Sequence, residues 1–314
     1  MLRYLIALLS AALLVLLLPH SAWAFGPAAH VYLGSQLLDT LTLLPIWLAD
    51  LLRVYPQSFL YGSMAADISL AKKYVPAGRH CHFWHVGEEI LEGAQNDRLR
   101  AVAYGYLAHL AADTIAHNYF VPRQLLLTSS TKALGHSYWE HRLDVQLGER
   151  YTALAREVVM DYDHSEADNL FDSVLSGTIF SFETNRRIFR GMIRFQDNER
   201  WHTVFDRLIQ SSRWNLTEET MEAYLSRAFE FLVDYLLHGR DSAPAALDPV
   251  GDFNLHLAKK VRRLAIREGA LYDAQVLHDM ADDFFPLPKP TTSYWEVVRK
   301  TRTNGGSLEG SQLR

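Results

Sequence analysis

The chain has 314 residues, 49% of them hydrophobic and 21% charged, which is ordinary for a packed globular protein and too apolar for a disordered one. Its formal charge of −5 leaves no basic surplus, so the sequence carries no strong nucleic-acid signal. Cys81 is the only cysteine, which rules out an intrachain disulfide and leaves stability to the core and to any bound metal.

Residues 1–24 come first and stand apart. "MLR" gives a short basic start, "YLIALLSAALLVLLL" an apolar run, and "AWA" a small-x-small cleavage site before Phe25. The pattern reads as a signal peptide, so the mature protein is expected to be secreted or periplasmic. The apolar run is short for a membrane span of about 20 residues, which argues against an uncleaved anchor. Cleavage would remove Arg3 and no acid, taking the charge from −5 to −6.

From Phe25 onward helical periodicity dominates. "AHVYLGSQLLDTL", "RLRAVAYGYLAHLAADTIAHNYF", "YWEHRLDVQLGERYTALAREVV", "TMEAYLSRAFEFLVDYLL" and "NLHLAKKVRRLAIRE" repeat apolar residues at threes and fours. "YVPAGRH", "FVPRQ" and "SAPAALDPVGD" read as loops. Alternating strand patterns are scarce, and there is no Gly-rich phosphate loop. The expected architecture is all-α, a single compact multi-helix domain over residues 25–290. A polar, Gly/Ser-rich tail over 291–314 is expected to be flexible.

Histidines are concentrated in the first half. Eight of the thirteen beyond residue 24 lie between His30 and His141. His109, Asp113 and His117 are four residues apart among Ala and Leu, so one uninterrupted helix would put them on a single stripe. A solvated face would carry Lys, Glu and Gln, and an unpaired carboxylate among apolar residues is costly, so a metal explains the stripe best. "GHSYWEH" places His136 and Glu140 on one helical face in the same way. Asp67 sits in the small, apolar "GSMAADI", His80, His82 and His85 in "HCHFWH", and His30 five residues after Phe25. Imidazoles with carboxylates and no thiolate cluster suit hydrolytic zinc better than a structural finger. Taken singly, His30 suits a hydrogen-bonded core position, His136 and Glu140 an exposed pair, and Asp67 a helix cap. Trp84 and Trp139 read as core, and Asp144 as either a helix-packing group or one that orients an imidazole.

In order, Phe25, His30, Asp67, His82, His109, Asp113, His117, His136 and Glu140 resemble the metal-binding series of the zinc-dependent phospholipase C family. That family shares its all-helical fold with the S1/P1 nucleases. The resemblance covers roughly Phe25 to Arg150. It implies an exported phosphodiesterase with up to three zinc ions. His82, His109 and Asp113 would hold the first, with Asp67 beside it as ligand or catalytic proton acceptor. His117, His136 and Glu140 would hold the second. The amine and carbonyl of Phe25, His30 and a bridging Asp113 would hold the third. The family usually begins with Trp, and its spacing before the residue matching His117 is longer. The implied substrate is a phospholipid or another phosphodiester, with peripheral membrane contact. A nuclease or 3′-nucleotidase on the same scaffold, and a zinc-binding protein without turnover, are the rival readings.

Overall fold

The computed structural model describes residues 25–70, 72–128, 132–175, 180–196, 214–269, 273–290 and 293–304, with isolated positions at 198, 203, 207 and 212. The side chains of residues 73, 132–137 and 304 lie outside that description, as does the expected signal segment 1–24. Among the described residues there are helices and no strands. In chain order they are α1 (Pro27–Leu38), α2 (Ile46–Val54), α3 (Pro56–Ala65), α4 (Trp84–Glu92), α5 (Asp97–Ile115), α6 (Val121–Thr128), α7 (Lys132–Leu147) and α8 (Glu149–Met160). There follow α9 (Ser165–Val174), α10 (Phe182–Gln196), α11 (Glu218–His238), α12 (Asp252–Arg267), α13 (Ala274–Phe284) and α14 (Tyr294–Asn304). None of these is long and apolar enough to cross a membrane.

Helix α5 is the spine. The Asn96 side chain caps it, accepting the Leu99 N–H at 2.9 Å. Beyond its first turn it is buried nearly all round, as an Ala- and Leu-rich helix at the centre of a bundle must be. It packs most extensively on α3 and α11. The α3 crossing depends on two glycines: a Cβ on Gly105 would stand 2.1 Å from the Phe59 carbonyl oxygen, and one on Gly62 would stand 2.0 Å from that of Val102. The two backbones touch there, and no larger residue permits that approach.

Two expectations are corrected. His109, Asp113 and His117 do not share an uninterrupted α-helix: α5 ends at Ile115 and a π-helical turn, Ala116–Phe120, joins it to α6. His117 nonetheless stays beside Asp113, its Nδ1 3.8 Å from Asp113 Oδ2, and turns of this kind recur at functional sites. The flexible tail does not begin at 291 either, since α14 is ordered against the core. Trp295 and Val298, three residues apart, are buried, and the Trp295 ring lies 5.3 Å from that of Phe229. The Trp295 N–H donates to Glu230 Oε1 at 2.9 Å, and Arg302 reaches back to Gln36 and Tyr32 on α1. The helix is polar apart from its buried face, so composition alone does not separate it from residues 305–314, which lie outside the description.

Candidate metal centre

The centre is assembled from α1, the end of α3, the loop before α4, and α5. His82 Nε2, His109 Nε2 and Asp113 Oδ2 form a nearly equilateral triangle with edges of 3.1, 3.0 and 3.1 Å. Tetrahedral zinc with bonds of about 2.0–2.1 Å has ligand–ligand edges of about 3.3–3.4 Å. These three atoms therefore stand close to coordination spacing. His30 Nε2 lies 3.3 Å from Asp113 Oδ1, and the His30 ring stacks on that of His109 at 3.8 Å. Asp67 Oδ1 is 3.5 Å from His82 Nε2. His117 is more peripheral, with Nδ1 3.8 Å from Asp113 Oδ2 and its ring 6.0 Å from that of His82.

Backbone carbonyls set the tautomers. His109 Nδ1 lies 2.8 Å from the Ser63 oxygen and His117 Nδ1 2.5 Å from the Pro249 oxygen. A carbonyl can only accept, so each Nδ1 carries a proton, which leaves Nε2 as the nitrogen a metal would take. Such outer hydrogen bonds typically orient metal-binding histidines. The Gly62–Gly105 contact makes the first bond reachable. Gly251, at φ +62°, makes the second: a Cβ there would press on the His117 backbone at 2.5 Å.

The site is dense in buried acid. Asp67, Asp113 and Glu140 are 1%, 1% and 4% exposed. Burial raises the Glu140 carboxyl well above its ordinary range, and the neighbouring Asp67 and Asp113 raise it further, so the three carboxylates feel one another. Burial also opposes ionisation of Asp113, but His109 and His117 hold it well below the usual carboxylate range. Burial, then His30, lowers the affinity of His109 for a proton. Both Asp113 oxygens and His30 Nε2 are buried without a hydrogen-bond partner. Such groups are costly unless a cation satisfies them, and this donor set fits zinc.

His30, Asp67, His82, His109 and Asp113 thus come together, with His117 and Glu140 at the margin. Phe25 is buried, its ring edge-on to His30 at 6.1 Å. His136 falls on α7, but its side chain lies outside the described residues. Of its two readings, Asp144 takes the helix-packing one. It caps α1, accepting the Ala28 and Ala29 N–H groups at 3.2 and 3.0 Å. Trp84 and Trp139 are buried, as expected. His80 is half-buried and accepts the His82 N–H at 3.1 Å, while Cys81 Sγ lies 3.3 Å from His82 Nδ1.

Sequence reasoning missed three contributors. The Ser63 and Pro249 carbonyls have no side-chain signature; only Gly105 and Gly251 hint at them. Lys72 is buried, with Nζ 2.8 Å from Asp67 Oδ1, yet nothing in "AKKY" separates it from Lys73.

The model of a family described as "zinc dependent phospholipase C" matches residues 29–187. The chain belongs to the zinc-dependent phospholipase C family. The match spans His30 through Glu140, and zinc-dependent hydrolysis is the chemistry that membership brings. No curated protein and no solved structure gives a significant match. Beside the centre of this family member opens a cleft of about 480 Å³, lined by Phe83, Trp84, His85, Arg240, Leu247 and Pro249 among others. Two of its walls adjoin the centre directly, since Phe83 follows His82 and Pro249 holds His117.

Proposed function

We propose that this chain is an exported phosphodiesterase that cleaves the head group from a phospholipid. The observation that carries the reading is the triangle of His82 Nε2, His109 Nε2 and Asp113 Oδ2 at coordination spacing, with His30 on the other oxygen of the shared carboxylate. His82, His109 and Asp113 would hold one zinc ion; His30 with the mature amino terminus, and His117 with His136 and Glu140, would contribute to others. Bound zinc supplies Lewis acidity, making water acidic enough to attack at neutral pH and offsetting charge on the phosphoryl oxygens. The protein does the positioning. Ser63 and Pro249 fix the imidazole tautomers, the shared Asp113 carboxylate ties the two sides of the centre, and Asp67 offers a carboxylate beside His82. The apolar part of the cleft, Phe83, Trp84, Leu247 and Pro249, suits the acyl-bearing side of a lipid better than a polyanion. Exclusion of bulk water by the buried surroundings strengthens each of these charges.

The test is hydrolysis of a chromogenic phosphodiester by the mature chain, with and without zinc, followed by phosphatidylcholine vesicles, a single-stranded oligonucleotide and a 3′-mononucleotide. Zinc-dependent release of phosphocholine exceeding hydrolysis of both nucleotides is the expected result. Preference for the oligonucleotide would move the protein to the nuclease side of the scaffold. Stoichiometric zinc with no turnover on any of them would make it a binding protein.

A further inference from the structure

Helix α12 departs from the charge of the rest of the chain. Over Asp252–Arg267 it carries Lys259, Lys260, Arg262, Arg263 and Arg267 against one acid, Asp252, a formal charge of +4 in a chain of −5. Leu255, Ala258, Val261 and Ala265 are buried and form its inward stripe, packed on α6. At about 100° per residue the opposite face holds Phe253, His256, Lys260, Arg263, Leu264 and Arg267, all of them exposed. Phe253 is 77% exposed and Leu264 45%. Arg262 turns inward to the Leu126 carbonyl. Three acids close to this face in sequence are engaged elsewhere: Asp252 with His256 at 3.0 Å, Asp282 on α13 with Arg123 on α6 at 2.6 Å, and Asp279 with the Gln275 amide at 2.8 Å.

This helix starts where the cleft ends. Pro249 lines the cleft and holds His117, Gly251 packs against the His117 backbone, and Asp252 opens α12 with Phe253 in its first turn. Another cleft residue, His85, has Nε2 2.8 Å from the Gly78 carbonyl oxygen, at the end of a loop whose Tyr74, Pro76 and Ala77 are exposed. Single exposed apolar side chains are ordinary. Phe and Leu set among Lys and Arg on one helical face are a more specific pattern, because they match the two layers of an anionic bilayer surface. The cations meet the lipid phosphates, their aliphatic stems lie along the interface, and the apolar side chains enter the boundary with the acyl chains. A nucleic acid would use the cations alone and leave Phe253 and Leu264 in water.

We infer that the outward face of α12 docks the protein on anionic phospholipid bilayers, bringing the cleft to the lipid surface. The purpose of such docking rests on the phospholipase reading, but its measurement does not need turnover. The mature chain is sedimented with vesicles of phosphatidylcholine alone and with vesicles that also contain phosphatidylglycerol. Binding should be tighter to the anionic vesicles and weaken as salt rises. Lys260→Gln, Arg263→Gln and Arg267→Gln together should weaken it about 100-fold, about fivefold for each charge. Phe253→Ser alone should weaken it about tenfold. A control variant, Arg187→Gln, Arg194→Gln and Lys300→Gln, removes the same charge from exposed positions on α10 and α14 and should bind as the parent does. Equal affinity for both vesicles, or a control as impaired as the α12 variant, would overturn the inference. So would a duplex oligonucleotide that binds more tightly than the vesicles and is released by the same α12 substitutions. Hydrolysis of a monomeric short-chain phosphatidylcholine should be unchanged in the α12 variants, and a loss there matching the loss on vesicles would put these residues in the substrate site and not on a docking face. Docking without phospholipid turnover would remove the phospholipase reading and leave the surface, while turnover on vesicles without docking would do the reverse.

Discussion

The close approach of α3 and α5 gives a quantitative handle on the centre through Gly105, a residue with no side chain to offer a metal. In Gly105→Ala the new methyl would stand 2.1 Å from the Phe59 oxygen and 2.8 Å from the Ser63 nitrogen, so α3 must retreat by about 1 Å to reach a normal contact. The same retreat stretches the 2.8 Å bond from His109 Nδ1 to the Ser63 oxygen beyond hydrogen-bond range. Overpacking costs about 1–3 kcal/mol and the lost bond about 1 kcal/mol. Removing a mid-helix glycine returns about 1 kcal/mol, for a net loss of about 2 kcal/mol. Zinc affinity should fall about 10–100-fold, the usual consequence of freeing a metal-binding histidine from its orienting partner. The assays are urea unfolding of the metal-free protein and competition with a chromophoric zinc chelator. Gly191→Ala is the control, because Gly191 lies within α10 and a Cβ there meets nothing within 4 Å. It should leave stability equal or higher by up to about 1 kcal/mol. If Gly105→Ala matches Gly191→Ala in both assays, the helix contact does not position His109 and the reasoning fails.

Asp113→Asn removes the charge shared between His82, His109 and His30, so phosphodiesterase activity should drop to background while the far-UV circular dichroism stays that of the parent; parental turnover would falsify the shared role. Asp144 should report on pH instead: burial pushes its carboxyl up to about 7 despite the two α1 N–H donors. A folded-state value above the unfolded one, near 3.9, means the folded form holds the proton longer, so this contribution is present at low pH and lost as pH rises through about 7. The loss between pH 5.5 and 8 is about 2 kcal/mol, and Asp144→Asn should lack that slope in unfolding titrations while losing less activity than Asp113→Asn. Chelation with EDTA should abolish turnover and added zinc restore it; activity surviving exhaustive chelation would remove the zinc assignment. A chain beginning at Phe25 should hold more zinc and turn over faster than one with extra residues ahead of it, because only the former offers an α-amino group near His30; equal values in both would return His30 to an ordinary packed histidine.

The sequence by itself determined the helical class, the central helix and most members of the buried histidine–carboxylate cluster, because each rests on local spacing. Four-residue steps of His and Asp among Ala and Leu are visible without knowing what packs around them, and a buried carboxylate needs a cation wherever the helix lies. Tertiary structure decided what spacing cannot encode. Whether His117 continues the stripe depends on a π-turn held from 132 residues away by the Pro249 carbonyl. Whether Asp144 serves an imidazole or caps α1 depends on where α7 crosses the start of the chain. Whether Trp295 and Val298 end in solvent or in the core depends on the groove that α11 offers them. Lys72 is the sharpest case: in the sequence it is one of two adjacent lysines, and only the fold of the turn after Asp67 buries its ammonium against His82. A lysine's charge is read from its letter, but its burial belongs to the packed chain.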